Sequence, residues 1–452
     1  MVRHFFVCEK NKTEQENIKV QVERGDLMEY QLQVNMGDIL QCLSKAQSIL
    51  SPQVGQHQLQ VAYLAYRLSE EMELSTDERK EIFLAALVHD IGALSMKEKL
   101  ELVDGRSKDT QTHALRGALL VRDFGPLQCT EPLIRCHHVA WANGAGSTWQ
   151  GQPVPRGAHL LHLADSMCIR LPARRNVLSQ LPGVFAEMQA MSGSEFVPQQ
   201  VDALANLIRK EYIWFDLAAT NPLDRLPQWL MPMVGLSLDD MVRLAEIISH
   251  LIDFGSEFTS RHSAGVAKVA EHLASLSGFS TDECKKMLIA GYLHDLGKLA
   301  VDNAILEKDA ALNAKEFNEV RAHTYYTYYL LDSIPEFGEI KQWAAYHHER
   351  LDGTGYPFHL KGDFLPLGSR IMAVADTFTA IAEDRPYRKG IEANKTVEIL
   401  RNMVRKQGLD ERLVELLIKN YETIDALRQA AQRGAVRYYE DFFSGVKQTG
   451  VD

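Results

Sequence analysis

Long hydrophobic runs are missing from this 452-residue chain. No stretch approaches the length of a membrane span, and residues 1–9 lack the apolar core of a signal peptide, so a cytoplasmic protein without membrane contact is expected. Cys-x-x-Cys pairs are missing too. The six cysteines are scattered, as suits reduced thiols rather than a disulfide framework. An excess of positive charge is also absent: 49 Lys and Arg against 60 Asp and Glu give a net charge of −11, which argues against a nucleic-acid polymer as partner. A small anionic ligand remains compatible, because a local cluster of cations can override the global sign.

What is present is helical periodicity, with an apolar fraction of 46% and a charged fraction of 24%, ordinary for a globular protein. Leu59, Val61, Ala62, Ala65 and Leu68 form one stripe, Ile82, Phe83, Ala86 and Leu87 another. Leu244, Ile247, Ile248, Leu251 and Ile252 form a third, followed by Val266, Val269, Ala270 and Leu273. Residues 1–38 differ: two alternating runs around Arg24-Gly25-Asp26 predict a β-hairpin that caps a core or pairs with another strand. The expected division is this hairpin segment, a helical domain over 39–190, a helical connector over 191–237 and a second helical domain over 238–452. Residues 395–419 read as one amphipathic segment, and the chain from about Val436 as a tail or short closing helix.

The two domains repeat each other. Ser75-Thr-Asp-Glu78 and Ser280-Thr-Asp-Glu283 are helix-opening capping boxes with identical letters, 205 residues apart. The same offset carries His57 onto His262 and His89-Asp90 onto His294-Asp295. At an offset of 210, His113 meets His323 and His137-His138 meets His347-His348; at 211, Asp165 meets Asp376. Seven polar positions in one order mark a duplicated domain, since the period is far longer than that of a solenoid.

Five histidines and two aspartates spread over several helices, with no cysteine among them, form a donor set for Zn, Fe or Mn in a bundle core. His294 and Asp295 point about 100° apart on a helix, so Asp295 serves two ions only by lying between them, as a bridging carboxylate. Two ions at roughly 3.5–4 Å suit activation of water and in-line attack on a phosphodiester.

Residues 238–403 resemble the HD-GYP phosphodiesterases of the wider HD superfamily. The likeness rests on His294-Asp295-Leu-Gly-Lys298, His347-His348-Glu-Arg-Leu-Asp352-Gly-Thr-Gly355-Tyr356-Pro357, Arg370-Ile-Met-Ala-Val-Ala-Asp376 and Asp384-Arg-Pro-Tyr-Arg388. It implies a mainly α fold of two HD-type helical bundles in tandem behind the short hairpin. It also implies hydrolysis of a cyclic dinucleotide, cyclic di-GMP or 3',3'-cyclic GMP-AMP, to the linear dinucleotide with iron or manganese. His262, His294, Asp295 and Asp376 would take one ion, and Asp295, His323, His347 and His348 the other. Lys298 would meet the scissile phosphate, Tyr356 the lip of the site, and Arg385 and Arg388 the guanine or phosphate. Three-metal members carry a glutamate four residues before the first histidine; here Phe258 stands there, so two ions are expected.

The N-terminal copy keeps His57, His89, Asp90, His113, His137, His138 and Asp165, enough for two further ions. It has Ala93 for Lys298 and Ala145-Gly146-Ser147 for the Gly-Tyr-Pro lip. Metal binding without efficient cyclic-dinucleotide hydrolysis is the expectation for it. Rival readings of the chain are a metal-loaded sensor or scaffold without turnover, a phosphohydrolase of another nucleotide, and a di-iron oxygenase.

Overall fold

The computed structural model describes residues 31–107, 109–171, 176–231, 233–253, 261–306, 308, 310–384 and 389–448. Helices dominate, in two bundles that repeat one another. Both capping boxes form: Ser75 and Ser280 each accept from the backbone N–H of the glutamate three residues on, whose carboxylate accepts from the serine N–H. These caps open the helices Thr76–Val88 and Thr281–Leu293, which end at His89 and His294.

The apolar stripes turn inward. Val61, Ala62, Ala65 and Leu68 of Pro52–Glu71, and Val266, Val269, Ala270 and Leu273 of His262–Leu276, are all fully buried. Each of these helices packs on the capped helix of its own bundle and on the helix bearing the late aspartate, Arg156–Arg170 or Leu367–Ala382. Leu59, Ile247 and Leu251 are only partly buried at the edge of the core.

The second run of the expected hairpin forms the strand Gln31–Asn35, and the first lies outside the described residues. Its antiparallel partner is Met233–Ser237, from the far end of the connector. Helix Met36–Leu50 then packs both on Pro52–Glu71 and on the turn Leu296–Ala300 of the second bundle.

Two C-terminal elements differ from the sequence reading. The amphipathic segment divides into Ala393–Arg405 and Glu411–Lys419, broken where Gln407 takes φ 54°. The chain then closes with a 28-residue helix, Tyr421–Gln448, rather than a short one. Its inward stripe of Ile424, Ala435, Phe442 and Val446 is interrupted by buried Arg428 and Gln432, which hides the period in the sequence.

Candidate metal centre

In the C-terminal bundle five elements deliver the predicted residues to one point. His262 begins His262–Leu276, His294 caps Thr281–Leu293, and His323 lies on Ala314–Leu331. His347 and His348 follow Gly338–Ala345, and Asp376 sits within Leu367–Ala382. Two clusters result, His262 with His294 and Asp376, and His323 with His347 and His348. Asp295 lies between them. Its Oδ2 is 3.2 Å from His294 Nε2 and its Oδ1 3.4 Å from His323 Nε2.

A glycine makes that approach possible. A Cβ on Gly297 would stand 1.9 Å from the His323 carbonyl oxygen. Thr327, from the same helix as His323, accepts from Gly297 N–H at 2.9 Å and donates to the His294 carbonyl at 3.0 Å. Gly92 meets the His113 carbonyl at 2.1 Å by the same construction, so the duplicate uses the same device.

The donor chemistry fits divalent ions. His294, His323 and His347 each turn Nδ1 to a carbonyl three residues back, at 2.8, 2.5 and 2.6 Å. A carbonyl only accepts, so Nδ1 carries the proton and Nε2 of a neutral ring presents its lone pair. Burial, with the neighbouring imidazoles, holds His347 well below its usual pKa, and burial above all lowers His323 to about 3. Their Nε2 atoms nevertheless face each other at 3.3 Å. Two lone pairs in that position repel unless a cation lies among them. Asp295, despite its burial, is held well below the carboxylate range by His294 and Lys298, and Asp376 is likewise held down by His262 and His348.

HD-domain profiles match residues 54–168 and 246–413. The 3'3'-cGAMP-specific phosphodiesterase 1 of Vibrio cholerae serotype O1 is 30% identical over 397 residues, 86% of this chain and 92% of that protein. The chain belongs to the HD-domain phosphodiesterase family. Phosphodiesterase 3 of the same name and organism is 26% identical, over 81% of this chain and 90% of its own length. The cyclic di-GMP phosphodiesterase response regulator RpfG of Xanthomonas campestris pv. campestris is 34% identical over 42% of this chain and 49% of its own length. A crystal structure of the V. cholerae cyclic GMP-AMP phosphodiesterase V-cGAP3 shares the fold at TM-score 0.58 and 20% identity, covering 90% of this chain and 98% of that one.

A 610 Å³ cavity opens on the C-terminal clusters, lined by Phe317, His347, His348, Tyr356, Asp376 and Met403 among others. His348, with its side chain 33% exposed, faces the opening, whereas His294 and Asp295 are closed off behind it. Tyr356 lies 5.0 Å from the His348 ring, and the Arg321 guanidinium sits 4.8 Å above its own ring. A Cβ on Gly355 would meet Arg350 N at 2.4 Å, and Glu349 accepts from Phe358 N–H and Leu360 N–H, so the lip is clamped directly behind His348. Lys298 Nζ lies 2.5 Å from Asp295 Oδ2. Arg385, Arg388 and Phe258 fall outside the described residues.

The N-terminal residues converge the same way, as His57, His89 and Asp165 beside His113, His137 and His138. Asp90 again lies between, 3.3 Å from His89 Nε2 and 3.2 Å from His113 Nε2. Two differences stand out. His113 Nδ1 is buried without a hydrogen-bond partner, where His323 has its carbonyl. The cavity over the cluster, lined by His138, His162, Asp165 and Glu195 among others, measures only 180 Å³.

The sequence reading missed Glu349, Arg321 and Glu383. Glu349 directly follows His348 and Arg321 stands two residues before His323, both candidate ligands, which is a usable signal. Glu383 carries none, yet its carboxylate lies 3.0 Å from His262 Nδ1.

Proposed function

We propose that the C-terminal bundle is a two-ion phosphodiesterase centre that opens a cyclic dinucleotide to its linear form. The observation that supports it most is the facing Nε2 pair of neutral His323 and His347 beside a carboxylate that addresses both clusters. Bound ions of the iron or manganese type would lower the pKa of water and draw charge from the phosphoryl oxygens. His262, His294 and Asp376 would hold one ion and His323, His347 and His348 the other, with Asp295 shared.

The chain's own groups supply the remainder. Lys298 brings a cation beside Asp295, where it offsets charge that develops on the phosphate. Tyr356 and Phe317 give the cavity aromatic walls for a base, and Arg385 and Arg388 are candidates for base or phosphate contacts. At 610 Å³ the cavity lies in the range of small-ligand sites, about 300–1,000 Å³, and 180 Å³ lies below it. The large ligand is therefore assigned to the C-terminal copy, and the N-terminal copy to metal binding without cyclic-dinucleotide turnover.

Both 3',3'-cyclic GMP-AMP and cyclic di-GMP are candidate substrates. The first is favoured, because two relatives named for it match over more than four fifths of the chain and so across both copies, whereas RpfG matches over less than half of it. Incubation of manganese- or iron-loaded protein with each compound, followed by product separation, tests the proposal. A linear dinucleotide is expected; tight binding with no product would establish a sensor instead.

A further inference from the structure

We propose that Glu383 is a positioning residue for the metal centre: it fixes the ring and tautomer of His262, and the closing helix Tyr421–Gln448 holds it in place. The inference rests on the two-ion reading of that site. His294, His323 and His347 find their Nδ1 acceptor in a carbonyl three residues back. His262 differs, because it is the first residue of its helix. A helix start presents N–H groups rather than carbonyls, so a histidine there needs an acceptor from elsewhere.

Glu383 supplies it. Its two carboxylate oxygens lie 3.0 and 3.1 Å from His262 Nδ1, while His262 Nε2 faces Asp376 Oδ1 at 3.2 Å. An ionised carboxylate only accepts, so Nδ1 carries a proton and Nε2 is turned to the cluster. Carboxylates in this position orient a ligand imidazole and raise its basicity.

Glu383 is itself held. Arg428 donates through Nε and Nη2 to Asp425 Oδ1, at 2.8 and 2.6 Å, and through Nη1 to Gln432 Oε1 at 2.6 Å. With its oxygen engaged, Gln432 must present Nε2 to Glu383 Oε2, 3.0 Å away. Glu383, Arg428 and Gln432 are all buried, which explains why the closing helix carries two polar groups in its inward stripe. In the N-terminal copy the position of Glu383 is taken by Pro172, so no carboxylate corresponds to it there.

The test is titration of the metal-free protein with manganese(II), for wild type and Glu383→Gln, with the melting temperature of each metal-free form measured alongside. One class of sites is expected to weaken by about 10–100-fold in the variant, the others staying as they are, with the metal-free melting temperature kept. Glu383→Asp should recover part of the loss. Unchanged manganese affinity in Glu383→Gln overturns the assignment, whatever its melting temperature. Should that variant fail to fold, Gln432→Leu leaves the carboxylate but removes its amide donor. A severalfold weakening is then expected, and none overturns the assignment. A wild type that takes up no manganese at its C-terminal site would instead refute the two-ion reading beneath it.

Discussion

Gly297→Ala should empty the half of the centre built on His323. The added Cβ would lie 1.9 Å from the His323 carbonyl oxygen and 2.7 Å from Thr327 N. An ordinary carbon–oxygen contact is about 3.3 Å, so the turn and the helix Ala314–Leu331 must separate by about 1.4 Å. Metal ligands tolerate about 0.2 Å, several times less than that displacement. His323 Nε2, now 3.4 Å from Asp295 Oδ1, would move out of register with the carboxylate proposed to share its ion. Overpacking of this kind costs about 1–3 kcal/mol in addition. Gly434→Ala is the control: nothing lies within 4 Å of its Cβ, and inside the helix Tyr421–Gln448 it should stabilise by about 0.5–1 kcal/mol. Metal content by mass spectrometry, product formation and thermal melting read the three effects. A Gly297→Ala protein with the wild-type metal content and rate would refute the reasoning.

Lys298→Ala should lower kcat by about 10²–10³ with the metal content kept, since it removes a cation near the developing charge but no ligand; loss of metal instead would make it structural. Asp90→Ala should release the ions of the N-terminal copy while cyclic-dinucleotide hydrolysis persists, and loss of hydrolysis would show that the two copies act together. Acidification should weaken the metal-free protein as His323 titrates. Its folded pKa of about 3 lies below the ordinary histidine value of 6.5, so the unfolded chain binds the extra proton in between and that contribution falls as pH drops from 6.5 towards 3. His262, raised to about 10 because Glu383 and Asp376 outweigh its burial, contributes in the opposite sense, its share being lost as pH rises from 6.5 towards 10. Melting temperatures across that range, for wild type and His323→Ala, separate the two.

The centre was legible because the chain carries its own comparison. Seven polar positions at nearly constant offset, set around the same capping box, singled out the candidate donors, and the folded chain brings both sets together. What stayed illegible depended on distant contacts. Glu383 reads as one more acidic residue until the closing helix is seen to hold it, and that helix reads as a tail because Arg428 and Gln432 break its stripe. The partner of Gln31–Asn35 lies some two hundred residues away, beyond the reach of local alternation.

The central claim is that one carboxylate, Asp295, serves both clusters. Anaerobic metal analysis combined with product analysis, on wild type and Asp295→Ala, tests it most directly. Loss of the C-terminal ions together with hydrolysis of the cyclic dinucleotide is expected; hydrolysis at the wild-type rate in Asp295→Ala would contradict the account.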